Sequence, residues 1–329
     1  MAYSAGDTIL DDEYNTFATG NAAGTGDTSA ASINTVWGQG TGDAGYGQNN
    51  PVDAVSAGET ITATQWTTLL ARLNSIRQHQ GTSINISSFS VSSGDAIAVI
   101  ANLATDINTV YTNRLTAASA NITESTTAAT YTDSWNSSVT ATHTVTFAGG
   151  DEARYFFNAG GFIKLNPSLS DSTGRNAQWA HLLDEVGDLK LLASTFTRSF
   201  SNNSSGYGAG GDNSPTTHAS TTGYYDLTNS TDTSMFKYTI DDAFGYGNYR
   251  ANFYEVQINP GADHSDARGN NGNVITIKQI FQDDHSNAQD TSVTGDISAP
   301  IIIGKPNQTQ LNNDACGTVT VNQTSFTGS

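Results

Sequence analysis

Apolar residues recur at helical spacing through the first third of the chain and at alternate positions through most of the rest. Leu10, Tyr14 and Phe17 fall at i, i+4 and i+7, with Asp7 placed to cap the helix they define. Residues 18–28 are a low-complexity break. Ile33, Val36 and Trp37 resume a short stripe that stops at Gly38. Residues 38–50 (GQGTGDAGYGQNN) hold too many glycines for regular structure and predict a loop with Tyr46 in its middle. The strongest helix follows. Thr62 and Gln65 form a capping box, Trp66, Leu69, Leu70, Leu73 and Ile76 share one face, and Arg72 and Arg77 sit toward the C-terminal end, where the helix dipole favours cations. Ile84, Ile86 and Phe89 predict an extended crossing. A third helix over 95–114 keeps Ile97, Ile100, Leu103, Ile107, Val110 and Tyr111 in register.

From about Tyr131 the period becomes two. Val139, Ala141, His143, Val145 and Phe147 alternate with threonines, as in a half-buried strand. Further strands are predicted at 153–165, 234–240, 249–258, 273–282, 298–304 and 317–322. One helix interrupts them, with Trp179, Leu182, Leu183 and Val186 on one face. Within 153–165, Gly160 and Gly161 predict a bulge or tight turn. Residues 199–222 and 259–272 read as polar surface loops. The fold class is α+β: a helical module over residues 1–120, then a mainly antiparallel β module over 121–329, sandwich or partial barrel, with one packed helix.

Composition sharpens this picture. The 329 residues include 13 Lys and Arg against 31 Asp and Glu, a formal net charge of −18. Only 36% of residues are apolar and 13% charged, a poor supply of core that suggests burial against neighbouring subunits. The acidic balance, without a basic stripe, argues against nucleic acid as a partner. No apolar run approaches a membrane span, and the first residues lack the basic start and apolar stretch of a signal peptide. One cysteine, Cys316, permits no intrachain disulfide and no cysteine-based zinc cluster, and reads as a small residue near a late strand.

Candidate chemistry is sparse. Gly40, Gly42 and Gly45 match the dinucleotide pattern G-x-G-x-x-G, as do Gly206, Gly208 and Gly211, but neither set follows a predicted strand and opens a helix. The simpler reading is turns. Gly-Tyr-Gly occurs at 45–47, 206–208 and 245–247, so Tyr46, Tyr207 and Tyr246 are candidate interface aromatics, together with Trp37 and Trp66. Asp263, His264 and Asp266, and Asp283, Asp284 and His285, could each hold a hard cation, although neither is a D-x-D-x-D-G loop, and a solvated acidic turn is the simpler reading. No nucleophile–base set stands out, no catalytic residue is assigned, and no cofactor is called for.

Several segments together resemble a known family. They are Trp37 to Gln48 (WGQGTGDAGYGQ), the helix opening ITATQW from Ile61 to Trp66, Arg77 to Thr82 (RQHQGT) and Ala153 to Ile163 (ARYFFNAGGFI). In this order they are similar to segments of virion structural proteins from contractile-tailed phages of marine cyanobacteria and related bacteria, across roughly residues 8–165. The resemblance implies a non-enzymatic virion component, more tail-, neck- or fibre-associated than shell. Such a protein assembles in the host cytoplasm, leaves by lysis, and has copies of itself and other virion proteins as partners. A receptor- or polysaccharide-binding adhesin that engages a host surface glycan is the first alternative, and a virion-borne hydrolase the second. On this reading the helical module is the docking unit. Its Trp37–Gln48 loop, otherwise left exposed, meets another subunit, and the β module projects outward.

Overall fold

The computed structural model describes residues 11–20, 31–40, 42–92, 100–173, 176–200, 215–228, 231–239, 251–261, 272–284 and 292–328. Four helices come first: α1 (Asp11–Thr19), α2 (Ile33–Trp37), α3 (Ala63–Gln80) and α4 (Ile100–Thr112). The capping box predicted for α3 is present, since the Thr62 hydroxyl accepts from Gln65 N–H while the Gln65 carboxamide accepts from Thr62 N–H. The helix stops at Gly81, whose φ of 71° is left-handed. Ser32 caps α2 by accepting from Thr35 N–H at 3.1 Å. The apolar stripes close on one core that contains Tyr14, Trp37, Tyr46, Trp66, Leu73 and Leu103. The extended crossing after α3 is tied down by Asp106 of α4, a fully buried carboxylate. It accepts from Asn85 N–H at 2.9 Å, Asn85 Nδ2 at 2.8 Å and Ile86 N–H at 2.8 Å. A buried carboxylate holds its place only when donors of this kind replace water.

The remainder runs β1 (Ile122–Thr127), β2 (Thr130–Tyr131), β3 (Ser138–Thr146), α5 (Gly150–Asn158), β4 (Phe162–Leu165), β5 (Ser168–Leu169), α6 (Asn176–Val186), β6 (Asp188–Leu191), β7 (Phe196–Ser199), β8 (Thr217–His218), β9 (Thr233–Thr239), β10 (Phe253–Asn259), β11 (Val274–Gln282), β12 (Ile297–Ser298), β13 (Ile301–Pro306) and β14 (Thr320–Gly328). The larger sheet has the order β14-β3-β11-β10-β9-β8, the second β1-β13-β4-β6-β7, and a small one β2-β12-β5. The pairings are antiparallel. Both large orders are linear, so neither sheet closes on itself, and the class is α+β without a closed barrel. Val145, Ile277 and Val256 from the larger sheet share one core with Ile163, Leu189 and Ile303 from the second, and with Phe156 of α5 and Trp179 of α6. The alternation read in β3 is real: its even-numbered residues are half-buried and its odd-numbered ones buried.

The strand expected over 153–165 is only partly there. Residues 150–158 are helical, and only Phe162–Leu165 is strand. A short aromatic run does not by its period alone distinguish a strand from a helix buried all round. Every residue from Ala153 to Asn158 is buried, because α5 has the β core on one side and the helical module on the other. The tight turn at Gly160 and Gly161 is present, but it ends a helix and is not a bulge in a strand. Gly161 N–H donates to Phe156 O at 2.9 Å, and Gly160 adopts a left-handed φ of 77°. Phe156 and Ile163, before and after the turn, pack in the same core.

A side chain at Gly160 would be strained twice, by the backbone and by a Cβ 2.6 Å from Ala117 N. Gly160→Ala is expected to destabilise the chain by about 2–4 kcal/mol. Gly42→Ala shares the left-handed φ but meets nothing within 4 Å, so it should cost only about 1 kcal/mol. Equilibrium urea unfolding of the two variants checks the difference.

Candidate functional site

The glycine-rich loop after α2 is held by hydrogen bonds on both of its sides. Its return strand lies back on the helix end. Tyr46 N–H donates to Val36 O at 2.8 Å, Gly47 N–H to Gly38 O at 2.8 Å, and Gln48 N–H to Trp37 O at 2.9 Å. Carbonyls at the end of α2, which have no partner within the helix, are satisfied in this way. The return needs glycine at Gly45, where φ is 91° and a Cβ would lie 2.5 Å from the Gln39 carbonyl.

The outward side of the loop presents carbonyls, and α5 meets them. Arg154 Nη1 donates to Ala44 O at 2.9 Å, and Asn158 Nδ2 donates to Gly45 O at 3.0 Å and Gly42 O at 3.3 Å. Tyr225, from the 3-10 turn after β8, donates its hydroxyl within reach of both Gly42 O (2.7 Å) and Asn158 Oδ1 (2.8 Å). The Tyr155 ring lies against Gly47. From α3, a ring nitrogen of His79 stands 2.9 Å from Ala159 O, and Gln80 donates to the Tyr46 hydroxyl at 2.9 Å. At the far end, Gln48 Oε1 accepts from Asn312 and Asn313 N–H. Arg114 pairs with Asp43. The loop is thus the joint between the helical and β parts of one chain.

The expectation that Trp37 and Tyr46 hang exposed for another subunit is corrected by this geometry. Both are 0% exposed and Trp66 is 1% exposed, all three inside their own helical core. Trp37 Nε1 donates to Asn49 O at 2.9 Å, and the Arg72 guanidinium lies 4.8 Å above its ring. The loop folds over its own helices and onto its own α5. Its N–H groups at 46–48 are used by α2 and its carbonyls at 42, 44 and 45 by α5 and Tyr225, and the Gly40, Gly42 and Gly45 segment follows a helix end and opens no helix among the described residues. Tyr207 and Tyr246 lie outside the described residues, as do Gly206, Gly208 and Gly211.

Asp263, His264 and Asp266 also lie outside the described residues, as does His285. Asp283 is buried and Asp284 takes a backbone bond from its own N–H to Asn252 Oδ1 at 3.0 Å. Among the described residues no three His, Cys, Asp or Glu side chains come together as a metal site, and no helix is long and apolar enough to cross a membrane. Burial raises the phenols of Tyr46 and Tyr225 well above their ordinary range and lowers the His79 imidazole. Burial likewise raises the Cys316 thiol to about 12.

The residues that sequence reading missed are Arg154, Asn158, Tyr225, Asn312 and Asn313. The signal was present for two of them. Arg154 and Asn158 are four apart in an aromatic run, one face of a helix, but the run was read with a strand's period.

His143 faces the core of the larger sheet, opposite Ile277 and Gln323 in the two flanking strands. Neither ring nitrogen has a hydrogen-bond partner, and burial pushes its pKa down to about 4 from 6.5. The folded state therefore resists protonation while the unfolded chain accepts it, so stability falls as pH drops from about 6.5 through about 4. His143→Leu is expected to raise Tm at neutral pH and to flatten this part of the pH profile. A thermal melt series across that range reads both effects.

Gly47→Ala is expected to cost about 2–4 kcal/mol, since φ is 68° and the new Cβ would lie 2.5 Å from the Tyr155 ring. Tyr225→Phe removes the hydroxyl from Gly42 O and Asn158 and should cost about 1–2 kcal/mol. Chemical denaturation of each variant supplies the values. Compared with protein-family models, with curated proteins and with solved structures, the chain finds no match.

Proposed function

We propose that the chain is a non-enzymatic structural component of a contractile-tailed phage virion, tail-, neck- or fibre-associated, that acts through contacts with copies of itself and other virion proteins. One observation carries the reading. Three of the segments that resemble the phage family, distant in sequence, converge at a single place. Trp37 to Gln48 is the loop, Arg77 to Thr82 supplies His79 and Gln80, and Ala153 to Ile163 supplies Arg154, Tyr155 and Asn158. The shared residues are thus those that fix two modules in one arrangement. A pattern of that kind suits a subunit whose shape is its function. The charge-poor, threonine- and asparagine-rich composition points the same way, because neutral polar surfaces can be buried against neighbours at little desolvation cost compared with charged ones.

Mass spectrometry and immunogold labelling of purified particles test the proposal. The chain is expected in mature virions at a fixed copy number, at the tail, neck or fibres. Its absence from particles would contradict the reading. So would turnover of polysaccharide or peptidoglycan that disappears on replacing one carboxylate.

A further inference from the structure

His79 lies fully buried in the last turn of α3, where the helical part meets the end of α5. Its Nε2 stands 2.9 Å from Ala159 O. A carbonyl oxygen only accepts, so Nε2 carries the ring proton and Nδ1 is left as a bare lone pair. Nδ1 is buried and has no hydrogen-bond partner among the described residues. A second proton can go nowhere else on the ring, and it would create a buried charge whose new N–H meets no acceptor. The surroundings do not compensate. The Tyr46 ring lies edge-on at 5.3 Å, and its hydroxyl is taken by Gln80. After α4, Ala118 N–H and Asn121 Nδ2 donate to the His79 carbonyl. The charged side chains of the elements packed here are engaged with other groups. Arg114 pairs with Asp43, Arg154 with Asp151, and Asp106 of α4 holds Asn85 and Ile86. Arg72 and Arg77 lie on Trp37 and Phe89, and Glu152 turns back over Gly149.

We propose that His79 is an acid-released catch in the joint: one proton taken up at Nδ1 draws the imidazole out to water, away from Ala159 O, and loosens the contact between the helical part and α5 while both cores stay folded. In the closed joint burial outweighs the Ala159 carbonyl and holds the imidazole below its ordinary 6.5. Drawn out, the ring meets water and titrates near that ordinary value. The joint is therefore at full strength above about pH 6.5 and weakens as pH falls below it, by at most about tenfold in the opening equilibrium per pH unit. His143, on the core face of the larger sheet, weakens the sheet over the same range, so pH alone does not separate the two histidines and a variant must. The catch concerns the joint within one chain and stands or falls independently of the virion reading.

Native-state hydrogen exchange of the full chain between neutral and mildly acid pH, corrected for intrinsic rates, tests the catch. The reporters are Asn312 and Asn313 N–H, which cross the joint to Gln48 Oε1, and Ala118 N–H, which donates to His79 O. In the wild type their opening is expected to rise by up to about thirtyfold between about pH 6.5 and about pH 5. His79→Gln still offers an N–H to Ala159 O but cannot titrate, and it is expected to flatten that rise. His143→Leu is expected to leave it in place. Nitrogen NMR of His79 in the wild type gives a second reading that needs no variant: a proton on Nε2 and none on Nδ1 at neutral pH, with titration below 6.5. Reporter amides whose opening does not change with pH in the wild type overturn the proposal. So does a pH response that survives in His79→Gln, or a His79 ring that titrates at or above its ordinary value.

Discussion

The arrangement of this molecule depends on a short loop whose backbone is used on both sides. The N–H groups of Tyr46, Gly47 and Gln48 complete the end of α2, while the carbonyls of Gly42, Ala44 and Gly45 receive Arg154, Asn158 and Tyr225. Buried backbone groups must find partners, and each pairing here is local on one face and long-range on the other. A residue with a side chain at Gly45 or Gly47 would separate the surfaces, so the glycine content reflects close approach and not flexibility.

This joint also answers the shortage of apolar residues. The aromatic side chains that are present are buried deeply: Trp37, Tyr46 and Trp66 each remove from water area worth about 2–3 kcal/mol. Between the two cores the chain relies on a hydrogen-bonded polar layer of arginine, asparagine, glutamine and tyrosine. Such layers specify one geometry when their members are satisfied. Ala159 and Leu311, from the β part of the chain, join the helical core, so apolar burial reinforces the same contact.

Much of this was legible in the sequence, and the failures have a common cause. Helix α3 announced itself through Thr62, Gln65 and a clean apolar face. β3, β10 and β11 did so through alternation, because one face of each is buried and the other is not. α5 did not, since its polar stripe is only Arg154 and Asn158, and both are buried like the aromatics between them. The destination of the Trp37–Gln48 loop was also invisible, because glycine-rich segments have no period and its partners Arg154, Asn158, Tyr225, Asn312 and Asn313 lie more than a hundred residues away. Trp37 and Tyr46 were rightly singled out as aromatics in need of burial. What the sequence could not say was that their own chain supplies it.

The most direct test of the intramolecular joint is native-state hydrogen exchange at the Tyr46, Gly47 and Gln48 amides in dilute protein. The account predicts strong protection, independent of concentration and comparable with that of the amides in the middle of α3. Rapid exchange in dilute protein, with protection appearing only as concentration rises, would contradict it and return the loop to a contact between subunits.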